Sequence, residues 1–298
     1  MLNVYAEFCE KYLAIPVVKG RKTESDKFAG AEATYCIEAL MHDGVALQAG
    51  TSHYFGDGFA KAFGIQFADK DNTLKYVYQT SWGVTTRLIG AVIMTHGDDN
   101  GLVLPPAIAP TEMVIIPVAM HKEGVLEKAN ELKAALAAAG IRVDLDDSEQ
   151  SPGWKYSQYE MKGVPLRLEI GPRDIENGCC MLARRDNGEK KSYPLENIAE
   201  TVKEILAQIQ VDMLEKARER RDSMTYAAHN TDELKEITES KQGFVKMMWC
   251  GDEECEKAVK ETYGVGSRCI PFEQENLGDV CPICGKPAKH MVYWGKAY

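Results

Sequence analysis

Residues 114–145 constrain the fold most. Val114-Ile115-Ile116 is a short apolar run set off by the prolines Pro105, Pro106 and Pro110, and reads as a buried strand. Val125, Ala129, Leu132 and Leu136 then recur on one helical face, and Gly140 supplies a stop. Ile141, Val143 and Leu145 alternate as a second strand. A strand, a crossover helix and a second strand at this spacing imply a parallel pair with a right-handed connection. The pattern continues: Val164, Leu166, Leu168 and Ile170 alternate, with Arg167 and Glu169 on the opposite face. Cys179–Arg185 reads as another strand, Asp186-Asn187-Gly188 as a turn, and Pro194 as the opening of a long helix carrying Leu195, Ile198, Val202, Ile205 and Ile209. This is a mixed sheet backed by helices.

The flanks are less regular. Residues 2–13 place Leu2, Tyr5, Cys9, Tyr12 and Leu13 at helical spacing without a cap, so the chain reads as beginning inside a domain. Ala14 to Thr34 reads as a mixed loop carrying the basic run Lys19-Gly20-Arg21-Lys22. A helix is expected at Phe59–Phe63 and strands at Tyr76–Gln79 and Gly90–Met94. Residues 210–242 are rich in Glu, Arg and Lys and read as an exposed helical connector. The segment from Phe244 onward holds five of the nine cysteines. Three domains follow: 1–111, 112–210 and 211–298, a reasonable division of 298 residues.

With 45% hydrophobic and 27% charged residues the composition is that of an ordinary globular protein. No apolar run reaches the roughly 18 residues of a membrane-spanning helix. The first residues lack the basic start and apolar core of a signal peptide, so a cytoplasmic location is expected and no membrane partner. Cysteines in that setting serve metal binding or burial rather than disulfides. The net charge of −10 argues against wholesale nucleic-acid binding but leaves room for a local basic surface.

Two stretches combine small residues, which let a ligand approach the backbone, with a few polar side chains. The first is Leu47-Gln48-Ala49-Gly50-Thr51-Ser52-His53-Tyr54-Phe55-Gly56. The second runs from Ser81-Trp82-Gly83-Val84-Thr85-Thr86-Arg87-Leu88-Ile89-Gly90 through His96-Gly97-Asp98-Asp99-Asn100-Gly101 to Leu104-Pro105-Pro106. A Thr-Ser-His alone reads as a turn with a structural histidine. With Gln48, the glycines, the later Thr-Thr-Arg and the earlier Lys19-Gly20-Arg21-Lys22-Thr23-Glu24, the set resembles the class II prolyl-tRNA synthetases of archaeal and eukaryotic type. The resemblance extends along nearly the whole chain, to Lys296-Ala297-Tyr298.

That resemblance implies a proline–tRNA ligase portion: ATP-dependent conversion of proline to prolyl-adenylate, then transfer to tRNA(Pro). Thr51 and His53 are expected to line the proline pocket. Gln48, Thr85 and Thr86 are expected to contact the nucleotide. Arg87 stands at the arginine of the third class II signature, which meets adenine and the γ-phosphate; a flat permanent cation suits both tasks. ATP and Mg²⁺ are the implied substrate and ion, and no protein nucleophile is required, so no catalytic side chain is assigned. Asp98 and Asp99, followed by Asn-Gly, read as a solvated turn rather than metal ligands. The first two signatures, which carry the dimer contact and another ATP-binding arginine, have no counterpart here. The isolated chain is therefore expected to be catalytically impaired. Homodimerisation is expected of the intact family.

Residues 114–210 resemble the anticodon-binding domain of the same subclass. Glu160, Arg167 and Lys190 correspond to residues that contact the two guanines of the proline anticodon, a carboxylate and two cations suited to unstacked base edges. Arg173, Arg184, Arg185 and Lys191 are expected to add phosphate contacts with steep salt dependence. Independently of the resemblance, Cys250-x₄-Cys255 and Cys281-x₂-Cys284 are two short hooks that bring four thiolates into a tetrahedron, with Zn²⁺ the usual occupant and no open coordination position. His290 is a further nitrogen nearby that the four cysteines do not need. Tyr298 matches a family ending in which the terminus folds back toward the active site.

The expected fold is therefore α/β (α+β): a partial class II antiparallel-sheet catalytic domain, a mixed-sheet α/β anticodon-binding domain and a small α+β zinc-binding C-terminal lobe. Two other functions fit the same residues: a non-catalytic tRNA-binding module, and a zinc-dependent RNA-binding regulatory protein.

Overall fold

A computed structural model describes residues 1–298. The chain runs α1 (Leu2–Lys11), β1 (Val17–Arg21), β2 (Ala33–Leu40), β3 (Ala46–Gly56), α2 (Gly58–Phe63), β4 (Gln66–Ala68), β5 (Leu74–Tyr76), β6 (Gln79–Gly83) and α3 (Arg87–His96). It continues with β7 (Met113–Pro117), α4 (Val125–Ala138), β8 (Val143–Leu145), α5 (Pro152–Met161), β9 (Leu166–Ile170), α6 (Pro172–Glu176), β10 (Cys179–Arg184), β11 (Lys190–Pro194) and α7 (Ile198–Ser223). It ends with β12 (Thr225–Ala228), α8 (Thr231–Ser240), β13 (Phe244–Trp249), α9 (Glu253–Tyr263), β14 (Gly266–Pro271) and β15 (His290–Gly295). No helix is long and apolar enough to cross a membrane.

Two compact units result. One comprises Met1–Lys11, Ile15–Thr95 and Arg218–Tyr298; the other comprises Tyr12–Ala14 and His96–Ala217. The second unit holds a five-stranded sheet ordered β11-β10-β9-β7-β8. β7 pairs in parallel with β8 and β9, while β10 runs antiparallel to β9 and β11, so the mixed α/β sheet is present as expected. Its core joins Met113 and Ile115 of β7, Leu132 and Leu136 of α4, Leu166 and Leu168 of β9, and Val202 and Ile209 of α7. Ser151 caps α5 by accepting from the Trp154 amide.

The first unit is built on an eight-stranded sheet, β12-β13-β15-β14-β1-β2-β3-β6. Its first and last sequence segments meet where β1 pairs antiparallel with β14, Gly20 opposite Pro271. Only glycine fits there, because a Cβ on Gly20 would lie 2.5 Å from the Ile270 carbonyl oxygen. Beneath the junction the fully buried Glu38 pairs with Lys22 at 3.1 Å and with Arg268 at 2.9 Å. Burial opposes the charge on Lys22, but Glu38 leads the effects that hold its ammonium above the ordinary lysine range. Removing both cations would leave a bare interior carboxylate, at a cost of about 3–5 kcal/mol, whereas removing one leaves the other as partner.

Five local expectations change. Residues 90–94 lie within α3, where Leu88, Ala91, Val92 and Thr95 are buried at helical spacing. Residues 76–79 split between the end of β5 and the start of β6. The basic run at Lys19–Arg21 is not a loop but part of β1, paired on both sides. Pro194 does not open α7. It closes β11, an edge strand opposite Cys179, where a missing N–H costs no ladder bond. The connector after residue 210 is helical to Ser223, then forms β12, parallel to β13, and α8.

Candidate functional site

β3 positions the first candidate group. Strict alternation would put Gln48 on the face opposite Thr51 and His53. The β2–β3 register, however, shifts between Ile37↔Gly50 and Glu38↔Gln48. One extra residue in β3 reverses the alternation there, so Gln48, Thr51 and His53 share a face. Arg87, at the start of α3, donates from Nη1 to the Gln48 carbonyl oxygen at 3.2 Å. Its amide is capped by the Thr85 hydroxyl at 3.2 Å, and Thr85, Thr86 and Arg87 are all exposed. No carboxylate pairs with Arg87.

His53 is more enclosed. Its Nδ1 lies 2.9 Å from Thr34 Oγ1, and that oxygen accepts the Phe28 amide at 3.1 Å. With the Phe28 amide on one lone pair, the Thr34 hydroxyl can either donate to Nδ1 or accept from it, according to the imidazole tautomer. Burial lowers the imidazole below the ordinary histidine range. Phe28 and Phe55 flank the ring at centroid distances of 5.0 and 6.0 Å. The chain terminus reaches the beginning of the same strand: Ala46 donates to the Lys296 carbonyl at 2.8 Å, and the Tyr298 hydroxyl bonds to Asp43.

In the other unit, α5, β9, β10 and the β10–β11 turn enclose a cleft of about 460 Å³, lined by Glu160, Arg167, Arg184, Arg185 and Lys190 among others. The structure brings the expected trio together. Arg167 Nη1 meets Glu160 at 3.0 Å, and Arg167 Nε and Lys190 Nζ converge on Glu169 at 3.1 and 2.6 Å. Sequence reasoning missed two members. Glu169, 5% exposed, is the hub of the network, and Tyr156 donates to it at 2.9 Å while lying 4.1 Å under the Arg167 guanidinium. Their signal was spacing: Tyr156 is one helical turn before Glu160, and Glu169 is two strand residues after Arg167. Burial and the Glu169 carboxylate push the Tyr156 phenol up. Of the four cations expected to meet phosphate, Arg173 is not in an ion pair and the other three are. Arg184 binds Asp186 and Asp212, Arg185 binds Asp98, and Lys191 binds Glu189.

The four cysteine sulfurs lie within 4.8 Å of one another. Cys250 Sγ is 3.7 Å from Cys255 Sγ and 3.6 Å from Cys284 Sγ. Zn–S bonds of about 2.3 Å in a tetrahedron require sulfurs about 3.8 Å apart, so the donor set fits zinc. The Lys286 amide draws the Cys284 thiol down to about 7, whereas burial pushes Cys250 and Cys255 up. His290 stays outside the cluster, against Trp249.

Residues 231–298 match the family described as prolyl-tRNA synthetase, C-terminal, and residues 112–205 match the anticodon binding domain. The proline–tRNA ligases of Ruminiclostridium cellulolyticum, Lachnospira eligens and Clostridium novyi are 67%, 63% and 62% identical over all 298 residues. The chain spans 62% of the length of each of these relatives.

Proposed function

We propose that this chain, which belongs to the proline–tRNA ligase family by its anticodon-binding and C-terminal domains, supplies one wall of a proline and ATP site together with a tRNA(Pro) reader. The observation that carries the reading is the bulged face of β3, which collects Gln48, Thr51 and His53 beside an exposed guanidinium without an acidic partner. Thr51 and His53 face proline; Gln48, Thr85 and Thr86 face the nucleotide; Arg87 meets its phosphates. Proline's carboxylate attacks the α-phosphate, pyrophosphate departs, and the tRNA terminal hydroxyl then displaces AMP from the mixed anhydride. The protein's part is alignment and positive charge placed where negative charge develops, with Mg²⁺ arriving on ATP.

Glu160, Arg167 and Lys190 are the anticodon-reading residues in this account. The cysteine cluster holds a structural Zn²⁺ that adds folding energy and takes no part in the chemistry. The location that suits these tasks is the cytoplasm, and the intact family member is a homodimer. One guanidinium against a triphosphate is a weak clamp, which favours a second reading: the isolated chain binds tRNA without activating proline. Proline-dependent ATP–pyrophosphate exchange, run beside tRNA binding on one sample, decides between them. Binding without exchange is expected. Exchange near the rate of an intact synthetase would overturn the impairment, and absence of tRNA binding would overturn the reader.

A further inference from the structure

We propose that Glu256, on α9 of the cysteine-bearing lobe, is a positioning residue for the His53 face of β3, acting through residues 23–28. Glu256 is 8% exposed, and its donors are three neutral hydroxyls. Thr23 Oγ1 donates to Oε1 at 2.8 Å, Ser25 Oγ to Oε2 at 2.6 Å, and Ser267 Oγ also bonds to Oε1. A carboxylate held this deep by hydroxyls alone is costly. Its place in the first turn of α9, after the Asp252 cap, offsets part of that cost through the helix dipole. What the arrangement gains is geometry, since two of the three hydroxyls belong to a single turn.

That turn leads to the site. The Lys27 amide closes it onto the Thr23 carbonyl at 3.0 Å, and Phe28 follows. Phe28 then contacts His53 twice, by its ring at 5.0 Å and by its amide through the Thr34 hydroxyl. Lys22, which pairs with Asp26 and Glu38, steadies the start of the turn from within the sheet. Glu256 adds the tether from the C-terminal lobe. A lobe that carries no substrate contact in the proposed function thereby sets the position of one wall of the proline pocket. This inference rests on His53 facing proline, and its test separates the two claims.

The test is ¹H–¹³C NMR of the histidine rings in the 298-residue chain, with His53 assigned by loss of its signal in His53→Asn. Ring currents from Phe28 make the His53 resonance a gauge of the turn. Glu256→Gln is expected to move and broaden the His53 signal while His121, in the other unit, stays put. Ser25→Ala leaves the carboxylate two hydroxyls and guards against misfolding in the first variant; it is expected to move His53 less, and Thr23→Ser not at all. An unmoved His53 signal in Ser25→Ala and in folded Glu256→Gln overturns the inference. Proline is then added as the probe, and its affinity is expected to fall about five-fold in Glu256→Gln. If proline leaves His53 unperturbed while the variants move it, the positioning role stands and the proline reading falls. If proline perturbs His53 and the variants do not, the reverse holds.

Discussion

The arginine of the β3 wall and the arginines of the α5–β10 cleft are the same residue type in opposite states. Arg87 is exposed and spends one hydrogen bond on a carbonyl. Arg167, Arg184 and Arg185 are largely enclosed, and each is clamped by at least one carboxylate. An unpaired guanidinium keeps its full charge for an anion. A paired one has lost most of its net charge and kept its directed donors, which suits reading base edges more than gripping phosphate. In the proposed function the chain's acidic total is compatible with RNA recognition, because the cleft is given placed donors instead of excess positive charge.

The largest effect that separates the two regions is expected from metal removal. Cys250, Cys255 and Cys281 sit in the core with Trp249, Val292 and Trp294, whereas the cleft is supported by a different core around Met113 and Leu168. Cys255→Ser, or a strong chelator, is expected to destabilise the cysteine-bearing lobe by several kcal/mol while the five-stranded sheet persists. Hydrogen exchange checks this: amides of β13 and β15 lose protection and those of β7 and β9 keep it. Simultaneous loss in both sheets would mean that the two regions are not separable.

Next in size is Arg87→Ala. Removing this exposed cation, which has no acidic partner, is expected to weaken ATP binding by about ten- to a hundred-fold and to leave tRNA binding alone. Arg167→Lys keeps the charge and loses the planar fork that joins Glu160, Glu169 and the Tyr156 face. A loss of about ten-fold in tRNA(Pro) affinity is expected, with the salt dependence nearly unchanged because the cation was already neutralised. A strongly flattened salt slope in filter-binding titrations of the charge-removing Arg167→Gln would instead identify Arg167 as a phosphate contact.

The strands and the α4 crossover between 113 and 184 were legible because burial there follows simple periods, all five residues of β7 being buried, whereas α5 and α6 were not read as helices. The cysteine hooks were equally legible from spacing. Errors came where one rule masked another. Gly90–Met94 is apolar and short enough for a strand, yet its burial has the helical period after a threonine cap. Pro194 carries a helix-start signal that the β10 pairing overrode. At the candidate wall, period-two reasoning separates Gln48 from His53, and the bulge that unites them depends on a register no single strand reveals. Glu169 was visible as a face but not as a hub, since convergence of Tyr156, Arg167 and Lys190 joins three elements.

The smallest effect concerns the ion pair between Asp98 and Arg185. Asp98 accepts from Arg185 at 2.7 and 2.5 Å, and those bonds, foremost among several, hold its carboxyl below the ordinary value of 3.8. A depressed carboxylate contributes stability above its unfolded value, and the contribution disappears as pH falls through the lower folded value. Asp98 is 44% exposed, so solvent screening limits the pair to about 0–1 kcal/mol. Asp98→Asn is therefore expected to lower the melting temperature of the second unit slightly at pH 7, with the difference from wild type shrinking as the pH falls below the ordinary carboxylate range. The same variant frees a guanidinium that also bonds the Glu160 carbonyl at 2.9 Å, at the rim of the cleft. If carboxylate pairing is what holds back phosphate binding, Asp98→Asn raises tRNA affinity slightly at low salt and steepens its salt dependence; an unchanged slope would leave Arg185 a purely structural cation.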